Sequence, residues 1–285
     1  MIDFSNGDLL CHEVPELASK EFTSVVNRFT LKGKKAMVTG AAGGIGRSTS
    51  KAFAELGADV ALMDIPSSKE KLEAICTEIQ EKYGVKAIAV LGDVSNEVSV
   101  KKFVQEAVDQ LGTIDVLHNN AGIILPTDVS ADTPVEDWQR LMNIDLNGVM
   151  LVGRTVANVM IAHKHGGSII NTASMSAHIW NHVKGHTYGF AYGVAKAGVL
   201  HLTKGMAANY IKYGIRVNSI SPGVVLSGIH DYVPIKYLET SLQDIPMGRF
   251  GYLDEMASIV AFLATDMASY MVGADVLADG GTCIN

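Results

Sequence analysis

The chain has 285 residues, of which 48% are hydrophobic and 19% charged, with a formal net charge of −7. This length fits one large α/β domain, and a domain of that size buries roughly 75% of the surface of its unfolded chain. The negative net charge argues against the basic surface that nucleic-acid binding requires, so we expect no nucleic-acid partner.

Targeting and redox signals point to the cytoplasm. No apolar run reaches the roughly 18 residues that a membrane span needs, so we expect no membrane association. The three cysteines, Cys11, Cys76 and Cys283, are far apart and typical of reduced thiols. Acidic residues near the N-terminus argue against a secretory or transit peptide.

Residues 1–30 stand outside the pattern of the remaining chain, and we expect them to form an N-terminal extension. Pro15 favours the start of a helix that runs through Phe29, with apolar residues on one face at helical spacing: Ala18, Phe22, Val25 and Phe29. Such an arm would pack on its own subunit or a neighbouring one; a lid over the active site is the alternative.

From about residue 35, β-rich runs alternate with stretches of helix length, such as 44–56, 69–83 and 96–111. The predicted strands are 35–39, 59–63, 86–91, 114–118, 168–172, 215–220 and 275–277. This alternation indicates βαβ units and a parallel sheet with helices on both faces. We therefore predict a doubly wound α/β fold, with residues 31–285 forming a single domain.

A glycine-rich stretch, Gly40-Ala-Ala-Gly-Gly-Ile-Gly46, joins the first predicted strand to the first helix. Glycine lets the backbone approach a pyrophosphate, and the helix N-terminus supplies free N–H groups and partial positive charge. The spacing differs from GxGxxG, so an ordinary βα turn is the alternative.

Asp64 follows the second predicted strand, eighteen residues after Gly46. A carboxylate there accepts hydrogen bonds from the adenosine ribose and repels a 2′-phosphate. No Lys or Arg occupies positions 41–43 to offset that repulsion. Asp64 therefore predicts NAD(H) rather than NADP(H); a solvated strand-end carboxylate is the alternative.

Three motifs follow one another along the chain: Thr39-Gly-Ala-Ala-Gly-Gly-Ile-Gly46, Asn119-Asn-Ala-Gly122 and Tyr192-Gly-Val-Ala-Lys196. In sequence and spacing they closely resemble the short-chain dehydrogenase/reductase family, over roughly residues 31–281. Supporting pieces are Asp93-Val94, Asn218 with Ser221-Pro-Gly223, and Asp279-Gly-Gly281. The resemblance implies a Rossmann-type sheet of seven strands and a homo-oligomer, either a tetramer or a dimer.

The resemblance also implies which residues bind the cofactor. Asp93 and Val94 would flank the adenine, and Ser227 stands where many relatives have a Thr that bonds the carboxamide. The full expected set is Gly40, Gly44, Ile45, Gly46, Asp64, Asp93, Val94, Asn120, Ala121, Gly122, Tyr192, Lys196, Pro222, Gly223, Val225 and Ser227.

Reduction of a ketone needs a proton donor at oxygen while hydride reaches carbon. A tyrosine can serve, but lowering its pKa from about 10 by three units requires roughly 4 kcal/mol of phenolate stabilisation. Lys196 lies one helical turn after Tyr192, so its ammonium would lie beside the phenol and lower its pKa. A surface pair on a helix is the alternative reading of these two residues.

Two further residues complete the expected chemical set. Ser174 occupies the family's serine position and would hold the substrate oxygen for Tyr192. Ser176 is its competitor, and Tyr188 is a weaker candidate acid because the residue four positions on is Tyr192, not lysine.

One residue departs from the family pattern. Aligned on Trp138 and Gly148, the position usually held by Asn carries Asp145. By resemblance, the Asn acts largely through its backbone carbonyl, which holds a water in a relay to the lysine. We expect Asp145 to preserve that geometry; Asn143 and Asn147 are less suitable substitutes. With an Asp at this position, the chain resembles the sorbose reductase-like and carbonyl reductase branch of the family.

The stretches 175–191 and 227–248 should wall the substrate pocket, and the first is longer than is usual in the family. Their aromatic and imidazole groups would suit a polyol or a flat apolar ring system. His178, His182 and His186 recur every four residues, but Gly185 and the loop position argue against a helical metal site. We predict no metal.

These observations lead to an NAD(H)-dependent enzyme that interconverts a secondary alcohol and a ketone, with a polyol or ketose preferred as substrate. A hydroxysteroid dehydrogenase of the 20-hydroxysteroid type is the rival. A non-catalytic dinucleotide-binding scaffold predicts damage to the Tyr–Lys pair or Ser174, and all three are intact. An acyl-carrier-protein ketoreductase would normally want NADP(H) and a basic surface, which Asp64 and the acidic charge disfavour.

Overall fold

The architecture is built on parallel strands joined by helices. The computed structural model describes residues 24–125, 134–180, 182–183, 186–187, 189–227, 239 and 242–284. The strands of its main sheet are β1 (Lys35–Thr39), β2 (Asp59–Asp64), β3 (Ala87–Leu91), β4 (Val116–Asn119), β5 (Gly167–Thr172), β8 (Ile215–Pro222) and β9 (Asp275–Ala278). Two short strands, β6 (His182–Val183) and β7 (His186–Thr187), form a separate antiparallel ribbon. The seven main strands run parallel in the order β3-β2-β1-β4-β5-β8-β9.

Helices cover both faces of this sheet. They are α1 (Val25–Arg28), α2 (Gly44–Glu55), α3 (Lys69–Tyr83), α4 (Glu97–Leu111), α5 (Val135–Met142), α6 (Val149–His163), α7 (Phe190–Tyr210) and α8 (Leu253–Ala264). Helices α2, α3 and α8 share one apolar core with the sheet, and α4, α6 and α7 share the other. The doubly wound, seven-stranded fold is thereby confirmed.

Strand β1 shows why these apolar runs form a sheet buried on both sides. Successive side chains of a strand point to opposite faces. Ala36 and Val38 belong to the core beneath α2, whereas Met37 belongs to the core beneath α4 and α6, and all three are fully buried. A continuous apolar strand of this kind is stable only between two helical layers.

The order of the strands places a crevice above the centre of the sheet. Strand β1 pairs with β2 on one side and with β4 on the other. The connections that follow β1 and β4 therefore lead away in opposite directions, which opens a gap at the carboxyl ends of these two strands. Ligands of doubly wound sheets bind at such a gap.

Boundaries differ from the prediction mainly in the N-terminal helix. Of the predicted helix 15–29, residues up to 23 lie outside the described part of the chain. In the described part the helix begins only at Val25, because Ser24 has non-helical backbone angles and its hydroxyl accepts from the amide of Asn27. A continuous helix through Ser24 is therefore wrong.

The helical run Val135–His163 is long enough to span a membrane, and an 18-residue window within it has a mean hydropathy of 1.2. It packs on the sheet through Val152, Val156 and Met160, all fully buried. We interpret the run as a core helix of the α/β fold.

Candidate active site

The glycine-rich turn lies at the crevice and is folded more tightly than any side chain would allow. A Cβ at Gly46 would lie 2.2 Å from the carbonyl oxygen of Gly40. Helix α2 begins at Gly44 without a side-chain cap, and Gly43, Gly44 and Ile45 line the cleft. Uncapped N–H groups at such a helix start suit a pyrophosphate.

The ends of β1 and β4 are tied together beneath this turn. The hydroxyl of Thr39 accepts hydrogen bonds from the backbone amides of Asn120 (2.9 Å) and Ala121 (3.0 Å). The side-chain amide of Asn120 donates in return to the carbonyl of Thr39 at 3.1 Å. The first two sequence motifs therefore form one hydrogen-bonded unit.

A cleft of about 680 Å³ runs along these strand ends. All four expected catalytic residues line it, and so does every expected cofactor residue except Gly46. Gly46 lies behind the turn, where its missing side chain allows the close approach to Gly40. Ser227 lies against Gly44, since a Cβ there would be 3.2 Å from the Cβ of Ser227.

Asp64 lies at the end of the cleft that the sequence assigns to adenosine. One carboxylate oxygen accepts from the amide of Ala42 at 2.9 Å, and the other accepts from the amide of Ile65 at 2.8 Å. These bonds orient the carboxylate toward the glycine-rich turn. Asp64 therefore both shapes the turn and lines the cleft.

Sequence reasoning missed Lys71, which lies at the same end of the cleft. Its Nζ is 3.8 Å from the position that a Cβ of Gly43 would occupy, and it lines the cleft together with Asp64. Positions 41–43, which belong to the turn itself, carry no cation. The sequence feature that could have indicated it is a lysine in the first helical turn of α3, because the fold brings the start of α3 next to the glycine-rich turn that precedes α2.

Ser174 and Tyr192 meet at the opposite end of the cleft. Ser174 is buried and caps the short 3-10 turn Met175–Ala177, with its hydroxyl accepting from the amide of Ser176 at 3.1 Å. Its hydroxyl is also close enough to that of Tyr192 to act on the phenol, whose pKa it helps to lower. Ser176 bonds to the Ser174 hydroxyl at 3.2 Å, so the predicted competitor supports the predicted serine.

Lys196 is buried between Tyr192 and Asp145. Its Nζ lies 5.4 Å from the centre of the Tyr192 ring, donates to the carbonyl of Thr172 at 3.2 Å and forms an ion pair with Oδ2 of Asp145 at 3.1 Å. Asp145 belongs to a π-helical turn, Asn143–Gly148, between α5 and α6. Such turns often occur at functional sites.

Asp145 makes contacts through its carboxylate that the sequence did not predict. Its described contacts with the relay run through the carboxylate, whereas the resemblance implied the backbone carbonyl. Oδ1 accepts from the amide of Ile123 at 2.8 Å, and Oδ2 pairs with Lys196. A Cβ at Gly122 would lie 2.7 Å from Oδ2 and 3.2 Å from the Lys196 Nζ, so glycine is required beside this pair.

The electrostatics of the site also differ from the expectation. Burial raises the pKa of Tyr192, and the nearby Asp145 carboxylate adds to this rise while Lys196 opposes it. Burial disfavours the ammonium of Lys196, but Asp145 and Tyr192 outweigh that effect and raise its pKa. Burial also raises the pKa of Asp145 against the pull of Lys196. Lys196 thus acts to lower the pKa of Tyr192, as expected, but burial and the Asp145 carboxylate raise that pKa by more, so the net shift is upward.

His178 joins the segment after β5 to strands β8 and β9. Its Nε2 lies 2.9 Å from Asp275 and 3.2 Å from the hydroxyl of Ser221. Residues 182–183 and 186–187 form a ribbon, as the argument against a regular helix anticipated. The side chains of His182 and His186 and all of Tyr188 lie outside the described residues. Within the part of the chain described, no cluster of three or more His, Cys, Asp or Glu is arranged to hold a metal ion.

Comparison with known proteins agrees with this geometry. A family model described as enoyl-(acyl carrier protein) reductase matches residues 40–283. The chain is 36% identical over 287 residues to a sorbose reductase of Candida albicans, covering 99% of this chain and 98% of that protein. It is 37% identical over 264 residues to an NADP-dependent mannitol dehydrogenase of Alternaria alternata, covering 92% and 97%.

A solved structure extends the agreement to three dimensions. The crystal structure of a short-chain type dehydrogenase/reductase from Mycobacterium marinum superposes with a TM-score of 0.87 at 36% identity. The match covers 92% of this chain and all of that one, 100%.

Proposed function

The chain belongs to the short-chain dehydrogenase/reductase family, and from this premise we propose that it interconverts a polyol and a ketose, with Tyr192 as the general acid and base. That it is a nicotinamide-dependent oxidoreductase of alcohols or ketones follows from the family and its relatives. The observation that carries the finer proposal is the contact of Ser174, Tyr192, Lys196 and Asp145 in one cleft.

The fit of a dinucleotide rests on this chain's own backbone. The turn in which Gly40 and Gly46 touch leaves the start of α2 open to the cleft, and Asp64 faces the same space. By resemblance to the family, the Lys196 ammonium would also bind the nicotinamide ribose. When bound, the cofactor would supply or accept the hydride.

The protein groups would handle the proton. The buried hydroxyl of Ser174 binds the substrate oxygen and directs it toward the hydroxyl of Tyr192. In the reductive direction Tyr192 donates its proton to the developing alkoxide, and in the oxidative direction its phenolate removes the alcohol proton. Lys196 stabilises that phenolate from within the protein.

Two residues bear on the choice between NAD(H) and NADP(H). We propose NAD(H) as the preferred cofactor because Asp64 presents a carboxylate to the expected position of the ribose. Lys71 favours a second possibility, use of NADP(H), since its ammonium lies beside the same turn. The named NADP dependence of the Alternaria relative supports testing both cofactors.

The sugar-related substrate class is supported by the sorbose reductase and mannitol dehydrogenase names of the two relatives. Near Tyr192, the ring of Phe190 lies 5.5 Å from that of Trp138 and 5.9 Å from that of Trp180. Trp180 is 48% exposed, so part of its face is open. No contact among the described residues favours a steroid substrate, so hydroxysteroids are included in the substrate panel as the alternative.

The remaining expectations stay proposals. We propose a catalytic domain of residues 31–285 after an N-terminal extension of residues 1–30, a homo-oligomeric protein and a cytoplasmic location. The acidic composition and the free thiols of Cys76 and Cys283 support the last of these.

A substrate panel tests the function. Polyols, ketoses and hydroxysteroids are assayed in both directions by the absorbance of the reduced nicotinamide, each with the NAD and the NADP form of the cofactor. Turnover of a polyol–ketose pair is the expected result. Turnover of steroids alone would refute the substrate class, and dinucleotide binding without turnover would support the scaffold alternative.

A further inference from the structure

The buried ion pair at the chemical end of the cleft carries an inference about how the enzyme is tuned. Asp145 and Lys196 are 0% and 2% exposed, and 3.1 Å separates Oδ2 from Nζ. The Ile123 amide holds the other carboxylate oxygen at 2.8 Å. The carboxylate is thus fixed on two sides and shielded from water, where Coulomb interactions are strongest.

The charge next to Tyr192 is therefore not that of Lys196 alone. Among the described residues, two charged groups act on Tyr192: Lys196 from the same helix, α7, and Asp145 from the π-helical turn. Ser174 contributes a neutral hydroxyl. His118, which bonds to the Thr172 hydroxyl at 2.9 Å, is neutral because burial lowers its pKa to about 3. One positive and one negative charge hence face the phenol.

We propose that the Asp145 carboxylate is a positioning residue that partly neutralises Lys196 and thereby keeps Tyr192 protonated up to alkaline pH. An asparagine at the same place would leave the positive charge of Lys196 unopposed. With Asp145 in place, Tyr192 keeps at neutral pH the phenol that ketone reduction needs, and alcohol oxidation, which needs the phenolate, reaches its full rate only at more alkaline pH. This inference rests on the proposed role of Tyr192.

The test is the substitution Asp145→Asn, which removes the negative charge of the side chain and keeps its shape. An asparagine oxygen can still accept from the Ile123 amide, so the segment keeps its anchor. Without the carboxylate, Tyr192 should ionise about one pH unit or more lower. In the oxidative direction, the pH of half-maximal kcat should fall by the same amount. On the acidic limb, oxidation relative to its own maximum should rise about tenfold for each pH unit by which the profile moves.

A spectroscopic titration separates this inference from the proposed function. The chain has 9 tyrosines, so the tyrosinate absorbance of each form is compared with its Tyr192→Phe counterpart to isolate Tyr192. The measurement needs no substrate and no added cofactor. If the panel finds no turnover but the Asp145→Asn titration moves to lower pH, the electrostatic role stands and the proposed activity fails.

Asn147→Ala is the matched control. Asn147 lies on the same π-helical turn, is exposed and bonds the Asn143 side chain at 2.9 Å. Its loss should leave both pH profiles in place. An unchanged or higher ionisation pH of Tyr192 in Asp145→Asn would overturn the proposal, and an equal change in Asn147→Ala would show that disturbing the turn is the cause.

Discussion

Both ends of the cleft carry a lysine and an aspartate, yet the two arrangements differ in burial. At the adenosine end, Lys71 is exposed and has no ion-pair partner within 4.0 Å among the described residues, while Asp64 is held by two backbone amides. At the chemical end, Lys196 and Asp145 are buried and paired. The same two residue types are therefore more exposed and not paired with each other at one end, and buried as an ion pair at the other.

Solvent explains the difference. Exposed charges are screened by water and salt, and an exposed pair contributes about 0–1 kcal/mol. Removing one partner of a buried pair typically costs about 3–5 kcal/mol because the other charge is left without compensation. We therefore expect substitutions at the adenosine end to change the cofactor preference, and substitutions at the chemical end to cause larger losses of activity.

The largest effect is expected at the chemical end from Tyr192→Phe. Loss of the proton donor should reduce turnover by about 10²–10⁴-fold, while the affinity for NADH, measured by nucleotide fluorescence, should be retained. Unaltered turnover would contradict the assignment of Tyr192 as general acid and base.

Gly122→Ala should break the buried pair without removing either charge. The added Cβ would lie 2.7 Å from the Asp145 carboxylate, so Asp145 and Lys196 must move. A displacement near 1 Å at a reactive centre costs about 10²-fold in rate, measured as kcat. Gly205→Ala is the control, because a Cβ at this α7 position meets nothing within 4 Å. Equal losses in both variants would show a general effect on folding.

Asp64→Ala tests the adenosine end. Loss of the ribose acceptor should raise the Michaelis constant for NAD by about tenfold or more, since one hydrogen bond to a charged group contributes about 1.5 kcal/mol or more. The gap between NAD and NADP should narrow because a repelling charge is gone. An unchanged cofactor preference in initial-rate assays would refute the ribose role of Asp64.

Lys71→Ala should have the smallest effect, and only with NADP. A few-fold rise in the Michaelis constant for NADP is expected, shrinking as salt screens the exposed charge, with the constant for NAD unchanged. Lys69→Ala is the matched control because Lys69 begins the same helix and is paired with Glu73 at 3.8 Å. Equal responses of the two variants would exclude a specific phosphate contact by Lys71.

Much of the fold was predictable from local patterns. Helix α3 was predicted with its observed bounds, and the predicted strands agree with the observed ones within two residues at each end. Apolar periodicity and glycine at helix ends are local properties, so they can be recognised without the tertiary structure. The start of α1 after Ser24 was not predicted, because the hydrophobic pattern carries no information on the hydrogen bond between the Ser24 hydroxyl and the amide of Asn27.

The candidate site divides in the same way. The motifs and the family resemblance predicted Ser174, Tyr192 and Lys196 as site residues, and the structure brings all three to one cleft. Only the tertiary structure showed that the Asp145 side chain pairs with Lys196 and that Lys71 returns to the glycine-rich turn. These contacts join residues far apart in the chain, and their strength depends on burial, which follows from how the sheet and helices pack.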